Sequence, residues 1–143
     1  MVAGVVAGVV DSHGTQAASA WVRRWSHLVP LDARVLDVAC GSGRHVRWFA
    51  QRGCCVTGVD RDGVAVEPLT TIAEIVVADI ESGQWPFAGR TFDAVVVTNY
   101  LWRERLPDLL ASVAPGGVLI YETFGRQRNR RQTLESEVSA APR

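Results

Sequence analysis

The residues best suited to chemistry lie in one stretch where apolar runs surround a glycine turn and end in acids. Residues 35–60 read V-L-D-V-A-C-G-S-G-R-H-V-R-W-F-A-Q-R-G-C-C-V-T-G-V-D. The pattern predicts an apolar strand, a glycine turn, a short helix and a second strand that ends at Asp60, which is half of a nucleotide-binding βαβ unit. The dinucleotide fingerprint requires a third glycine three residues after Gly43, where this chain has Val46. The turn therefore predicts a ligand other than a dinucleotide.

Asp37 narrows the choice of ligand, because it precedes Gly41 by four residues, at the carboxyl end of the first predicted strand. A carboxylate there would repel a pyrophosphate and would suit a ligand with positive charge. Asp60, Asp79 and Asn99 also follow predicted strands. In a doubly wound sheet the ligand binds at the carboxyl ends of the strands. One acid in a solvated turn means little, but two behind a glycine turn favour a ligand site.

The segment D-V-A-C-G-S-G resembles motif I of the class I S-adenosylmethionine (SAM)-dependent methyltransferases. Four later segments resemble further elements of that family in the same order. They are V-T-G-V-D at 56–60 (the ribose-binding acid), 77–80 (the adenine-binding turn), 92–101 (the fourth strand and its loop) and 115–122 (the fifth strand). The resemblance covers about residues 15–124. Within the family it is most similar to small bacterial enzymes of the tellurite-resistance and thiopurine-methyltransferase type.

The resemblance implies that SAM is the cofactor and assigns residues to it. Asp37 would serve the methionine end, Asp60 the ribose hydroxyls and Asp79 the adenine amine. Gly41 and Gly43 would let the backbone approach the ligand without a Cβ atom. The full set of expected cofactor-binding residues is Asp37, Ala39, Cys40, Gly41, Gly43, Asp60, Arg61, Asp79, Ile80 and Asn99.

No catalytic constellation is expected, because a sulfonium is already electrophilic and placement supplies most of the catalysis. Asn99 is followed by Tyr100 and not by the N-P-P-Y signature of some amino-group methyltransferases, and there is no P-C nucleophile. Both absences argue against a DNA substrate. Tyr100 and Trp102 either form a wall over the methyl group or pack in the core. His45 is either structural, which is the commoner role, or catalytic.

Strands alternate with helices, which predicts an α/β fold with a Rossmann-like, doubly wound parallel sheet of about five strands in the order 3-2-1-4-5. The predicted strands are 35–39, 55–59, 75–78, 94–97 and 118–121, and the predicted helices are 15–29, 44–52, 62–67 and 103–114. Three regions are expected: an apolar amino-terminal segment (1–14), the SAM-binding domain (15–124) and a disordered, arginine-rich tail (125–143).

The family usually continues beyond its fifth strand with another helix and two strands, for which this chain has no residues. The strand at 118–121 is therefore expected to be an unpaired edge and a candidate homodimer interface. Three explanations stay open. The reading frame is truncated or shifted, a partner chain completes the sheet, or the chain covers the edge with its own tail or amino terminus. Residues 1–10 are expected to be a ragged terminus or an added strand.

The composition and charge of the chain limit the kinds of partner that it can bind. The chain has 143 residues, of which 48% are hydrophobic, enough for one globular domain. Residues 1–125 contain ten Arg and thirteen acids, so the body has no net positive charge to attract nucleic acid. The segment 126–131 could bind RNA phosphates, although a solvated tail is the commoner case. A nucleic-acid partner is therefore not expected.

The cysteines and the amino terminus bear on location. Three cysteines without metal-ligand spacing predict free thiols and no metal site, as in a reducing cytoplasm. The chain has 15 Arg and no Lys, which indicates the GC-rich coding bias of a bacterial gene. Ten apolar residues cannot span a bilayer, so no membrane partner is expected. The sequence thus predicts SAM-dependent methyl transfer to a small molecule. The alternative is a non-catalytic SAM-binding or dimerising module derived from a truncated methyltransferase.

Overall fold

The apolar, β-branched runs of the chain form one sheet covered by helices. The computed structural model describes residues 2–10, 17–100, 102–124 and 139–140. Across these ranges the strands are β1 (Val2–Val10), β2 (Arg34–Val38), β3 (Cys55–Asp60), β4 (Glu74–Val77), β5 (Phe92–Thr98), β6 (Val113–Phe124) and β7 (Ser139–Ala140). The α-helices are α1 (Ala20–Trp25), α2 (Arg44–Gln51), α3 (Gly63–Val66) and α4 (Leu106–Ala111).

The strand order is β4-β3-β2-β5-β6-β1-β7. β2 to β6 are parallel and adopt the predicted order 3-2-1-4-5, so the α/β, Rossmann-like prediction is confirmed. The centre of β5 is inaccessible from both sides, since Ala94 to Val97 are all 0% exposed. Continuous burial of this kind explains why β5 is an apolar run without polar alternation.

The amino-terminal segment corrects the predicted edge. β1 pairs in parallel with β6, in a register that runs from Val2 opposite Gly117 to Val10 opposite Phe124. The strand predicted at 118–121 therefore has neighbours on both sides, and the free edge proposed for a homodimer is already occupied. Coverage of this edge by the amino terminus, which was one of the three explanations, is observed, and the sheet has six parallel strands, not five.

Two helices, α1 and α4, are shorter than predicted by several residues, for local reasons. α1 begins at Ala20, not at residue 15, because the Ser19 hydroxyl accepts a hydrogen bond from the Val22 amide and caps it. α4 begins at Leu106, not at residue 103, with Pro107 in its first turn, where the missing amide costs nothing. It ends at Ala111 because the strand register with β5 already begins at Val113.

Helices cover both faces of the sheet. α1, α2 and α3 pack on one face through Val22, Val46, Phe49 and Val66. The other face is covered by α4 and by the long loop 78–91. Trp85 anchors that loop, since its indole N–H donates to the Ser112 hydroxyl at 3.0 Å. β1 contributes to both layers.

Within the described ranges, no helix is long and apolar enough to cross a bilayer. The region predicted as a tail lies outside them, except for β7 (Ser139–Ala140), which pairs antiparallel with β1. The predicted disorder of residues 125–143 therefore stays a prediction.

Candidate active site

The glycine turn after β2 is held by the acid that ends β3. The Gly41 amide donates to Asp60 Oδ2 at 2.8 Å, and the Asp62 amide donates to Asp60 Oδ1 at 2.9 Å. The Cys40 amide also donates to the Val59 carbonyl at 3.0 Å. The loops after β2 and β3 therefore form one unit, with Asp60 at its centre.

Backbone strain marks the same end of the sheet. Ala39 and Asn99 are the residues other than glycine that have positive φ in the described part of the chain, at 59° and 58°. They directly follow the two central strands β2 and β5. Asn99 also has a buried side-chain oxygen without a hydrogen-bond partner. Left-handed residues of this type are costly and cluster at functional sites, which favours a site at these strand ends.

A cleft of about 230 Å³ opens at this edge. Its lining residues are Ala39, Val59, Asp60, Arg61, Ala78, Asp79, Ile80, Glu81 and Tyr100. Pockets for whole ligands usually measure about 300–1,000 Å³, so the cleft is sized for one end of a larger ligand. Three of the lining residues are acids and one is a base, which favours a ligand with positive charge.

Half of the sequence-predicted site residues line this cleft. They are Ala39, Asp60, Arg61, Asp79 and Ile80. The other five, Asp37, Cys40, Gly41, Gly43 and Asn99, lie on the adjoining turn and strand ends. Cys40 faces the core, because its sulfur lies 3.0 Å from where a Cβ at Gly58 would be.

Gly43 differs from its predicted role. A Cβ at this position would lie 2.4 Å from Leu69 Cδ1, so the missing side chain makes room for Leu69. At Gly41 a Cβ would meet no atom within 4 Å, on a backbone with a φ of 57°. Of the two glycines, only Gly41 faces open space.

Asp37 and Arg44 form a second polar feature behind the turn. Asp37 is 1% exposed, and its Oδ1 has no hydrogen-bond partner. Burial raises the Asp37 pKa to about 8, while the charge of Arg44 opposes the rise and that of Asp60 adds to it. Arg44 donates through Nη1 to the Ala17 carbonyl at 3.4 Å, but its buried Nη2 has no partner. The sequence reasoning missed Arg44, although its place directly after the glycine turn was a usable signal.

The acids at the far wall belong to the loop after β4. Asp79 Oδ1 accepts from the Glu81 amide, and Oδ2 accepts from the Ser82 hydroxyl, each at 3.0 Å. These bonds lower the Asp79 pKa. Burial, together with the nearby charges of Glu81 and Asp79, raises the pKa of Tyr100, which stays neutral at physiological pH. Trp102, the other predicted wall residue, does not line the cleft.

Arg105 holds this loop in place and was also missed. Its Nε donates to the Ile80 carbonyl at 2.5 Å, and its Nη2 donates to the Gly83 carbonyl. Asp108 pairs with the same guanidinium at 2.9 Å. The turn at 77–80, which was expected from the sequence to bind adenine, is thus held by a residue at the start of α4, about 25 positions later in the chain.

His45 is structural. The Ser19 amide donates to its Nε2 at 3.0 Å, so Nδ1 carries the proton and faces the Thr98 hydroxyl at 3.3 Å. Burial and the charge of Arg44 lower the His45 pKa to about 3. A neutral imidazole with both nitrogens engaged cannot serve as a general base.

The comparison with protein families agrees with this architecture. The family described as methyltransferase domain matches residues 35–117, which include the glycine turn, β3 and the whole cleft. The chain belongs to the methyltransferase domain family. The class I resemblance predicted from the motifs is therefore confirmed.

Relatives of this methyltransferase domain act on different acceptors, as their names state. A tRNA U34 carboxymethyltransferase from Hahella chejuensis is 34% identical over 117 residues, which are 73% of this chain and 36% of that protein. A trans-aconitate 2-methyltransferase from Paracidovorax citrulli is 34% identical over 128 residues, covering 80% and 48%. The methyltransferase domain thus spans between a third and a half of the length of these relatives.

Solved structures support the fold of the methyltransferase domain. TehB from Haemophilus influenzae superposes with a TM-score of 0.59 at 23% identity, covering 74% of this chain and 41% of that chain. The amino pentose methyltransferase CalS10 from Micromonospora echinaspora, solved with SAM bound, superposes with a TM-score of 0.60 at 27% identity, covering 76% and 53%.

Proposed function

We propose that this domain binds SAM at the glycine turn and the cleft, and transfers its methyl group to an acceptor. The observation that supports this best is the pair of unsatisfied groups on Asp37 and Arg44. A buried polar atom without a partner costs roughly 1–3 kcal/mol, so it calls for a ligand group. The methionine end of SAM has an ammonium for the carboxylate and a carboxylate for the guanidinium.

The cleft would hold the nucleoside end. Each oxygen of Asp60 accepts one backbone N–H and keeps a lone pair for a ribose hydroxyl. Asp79 would accept from the adenine amine, with Ile80 against the ring. Gly41 would allow close approach, while Ala39, Arg61 and Asn99 would border the ligand. SAM has no phosphate, which suits a cleft with three acids.

Methyl transfer asks little of the protein's side chains. SAM supplies an electrophilic methyl group, and the domain has to orient the acceptor in line with it and exclude water. Tyr100 is placed to form one wall of that space. His45 is excluded as a base by its hydrogen bonds and its low pKa. Any proton lost by the acceptor would pass to Glu81 or to solvent.

The proposal extends to the methyl acceptor and to the cellular location of the protein. The sequence favours a small molecule, in line with the trans-aconitate relative, while the tRNA relatives favour RNA. Cys40, Cys54 and Cys55 are free, which supports a protein of a reducing compartment such as the cytoplasm. Because the chain spans half of its relatives or less, a non-catalytic SAM-binding module is the alternative.

Calorimetry tests the proposal. SAM and its demethylated product should bind the wild type, and NAD should not. Asp37→Asn should weaken SAM binding by roughly tenfold or more, because a charge-assisted hydrogen bond is worth about 1.5–3 kcal/mol. Asp93→Asn, at the amino-terminal end of β5 and so at the opposite end of the strands from the cleft, is the matched control and should bind normally. Absence of SAM binding by the wild type would refute the proposal, and binding without turnover of any acceptor would favour the module.

A further inference from the structure

Five of the ten arginines in residues 1–125 lie on or directly beside two neighbouring helices. They are Arg23, Arg24, Arg44, Arg47 and Arg52. No Asp or Glu occurs in residues 17–31 or 41–59, which contain both helices. Residues 1–125 have no net positive charge, but their arginines are concentrated on one side, on these two helices. We call Arg23, Arg24, Arg47 and Arg52 the arginine face; Arg44 belongs to the candidate active site.

Within the part of the chain that the structure describes, no acid forms an ion pair with the arginine face. Arg24 and Arg52 lie over indole rings, with guanidinium carbons 5.1 Å from the Trp25 centroid and 5.5 Å from the Trp48 centroid. Among the described residues, the ion pairs involve other arginines, Arg90 and Arg105. Aromatic rings thus hold these guanidinium groups in place while leaving their charge available for an anion.

The arginine face adjoins the cleft. α1 and α2 lie side by side, since the Trp48 indole N–H donates to the Ser26 hydroxyl at 2.8 Å and Arg44 reaches the Ala17 carbonyl. α2 starts at the glycine turn and is about 12 Å long at 1.5 Å per residue. A polyanion on this face would therefore reach the candidate site within one helix length.

The apolar sides of both helices exclude a membrane as the favoured partner. Val22, Val46 and Phe49 are 0% exposed and face the sheet, which leaves no apolar stripe for insertion between lipids. An RNA offers phosphates for the guanidinium groups and unstacked bases for planar side chains. We propose that the arginine face binds the phosphate backbone of RNA and presents an RNA acceptor to the cleft. The second half of this statement rests on the proposed methyl transfer; the first half does not.

Fluorescence anisotropy tests the proposal. It follows the binding of a fluorescein-labelled single-stranded RNA of about 20 nucleotides to the full chain between about 50 and 200 mM NaCl. Arg23→Gln combined with Arg47→Gln should weaken binding about tenfold and reduce the slope of log K against log salt by about 1.4, since each phosphate contact contributes about 0.7. SAM affinity should not change. If the wild type binds RNA but not SAM, the proposed methyl transfer is refuted while the RNA-binding role of the arginine face stands.

Two control variants show whether RNA affinity comes from the arginine face or from arginines elsewhere in the chain. Arg34→Gln removes a charge on the other face of the sheet, where Leu36 and Val38 of the same strand also point, and should leave RNA binding intact. Arg128→Gln combined with Arg130→Gln removes two charges from the segment 126–131. Equal or larger losses in either control would overturn the proposal. So would wild-type binding to phosphatidylserine vesicles, sensitive to Arg23 and Arg47, in the absence of RNA binding.

Discussion

Asp37 carries a proton in the free domain at neutral pH, because burial raises its pKa to about 8. A cationic ligand requires the ionised form. The proposed partner of this carboxyl, the ammonium of SAM, would therefore bind only after the proton leaves. This links ligand binding to proton release at a single residue.

SAM binding at pH 7 should release close to one proton, since a group with a pKa near 8 is about nine-tenths protonated there. Calorimetry in phosphate and in Tris detects this as different apparent enthalpies, because the two buffers differ in ionisation enthalpy. Asp37→Asn should abolish the difference. Identical enthalpies for the wild type in both buffers would show that Asp37 is not ionised by the ligand.

Gly41 and Gly43 should separate binding from stability. Gly43→Ala places a methyl group 2.4 Å from Leu69 Cδ1 on a left-handed backbone, which should lower the free energy of unfolding by about 3 kcal/mol. Gly41→Ala meets open space and should cost about 1 kcal/mol, for its φ alone, yet weaken SAM binding about tenfold. Urea titration and calorimetry measure both. Unchanged SAM affinity in Gly41→Ala would mean that this glycine only shapes the backbone.

At the residue scale, the sequence located the site through types and spacing but not through contacts. Asp60 was predictable because it ends a strand behind a glycine turn. Its bond to the Gly41 amide was not, because that contact joins residues 19 positions apart. Arg105 was missed for the same reason: it reaches the Ile80 carbonyl from another element. Long-range hydrogen bonds leave no local pattern in a sequence.

At the scale of elements, β1 pairs with the outer edge of β6, which would otherwise be exposed to solvent. Val6 and Ala7 are buried on opposite faces, so β1 extends both cores as well as the hydrogen-bonded ladder. The register covers almost the entire strand. An edge strand of this length would otherwise be a template for association.

Deletion of residues 2–10 should therefore destabilise the domain by about 3 kcal/mol or more and make it self-associate. Sedimentation velocity and urea unfolding measure the two effects. Deletion of residues 126–143 is the comparison; it removes β7, which pairs with β1 at Gly4 and Val5, but leaves the β1–β6 pairing in place, so it should cost less stability and leave SAM binding nearly unchanged. A monomeric 2–10 deletion of normal stability would show that β1 contributes little to the sheet.

Element prediction succeeded where apolar runs were continuous and failed where geometry was non-local. β5 was identified because its run of valines suits a strand buried on both sides. The apolar residues 1–10 allowed a strand but did not reveal its neighbour, since pairing with β6 depends on contacts about 114 positions apart, as between Val5 and Leu119. The expectation of a free edge was wrong for this reason.

At the scale of the whole molecule, two buried groups set opposite pH dependences of stability. His45 has a folded pKa of about 3, so below its unfolded value of about 6.5 only the unfolded chain is protonated, and stability falls as pH falls. Asp37 has a folded pKa of about 8, so above its unfolded value of about 3.9 only the folded chain keeps the proton, and stability falls as pH rises.

Each slope is about 1.4 kcal/mol per pH unit, so the two should cancel between about pH 4.5 and 6. Between about pH 6.5 and 8 only Asp37 remains active, and stability should drop by about 2 kcal/mol. Urea unfolding at pH 5, 6, 7 and 8 would record this profile. Asp37→Asn should remove the alkaline drop and uncover an acid-side loss, while His45→Gln should uncover a decline across the whole range. A flat alkaline limb in the wild type would contradict the assignment.

The pairing of β1 with β6 also determines when the sheet can be completed during synthesis. β1 leaves the ribosome about 114 residues before its neighbour, which at about 5–20 residues per second means roughly 6–23 s without a partner. For that interval an apolar, β-rich segment is open to chaperones or to nascent chains nearby. A translation product that stops before Val113 would keep it open permanently. The last strand of the parallel sheet to be translated thus decides whether an early one folds or aggregates.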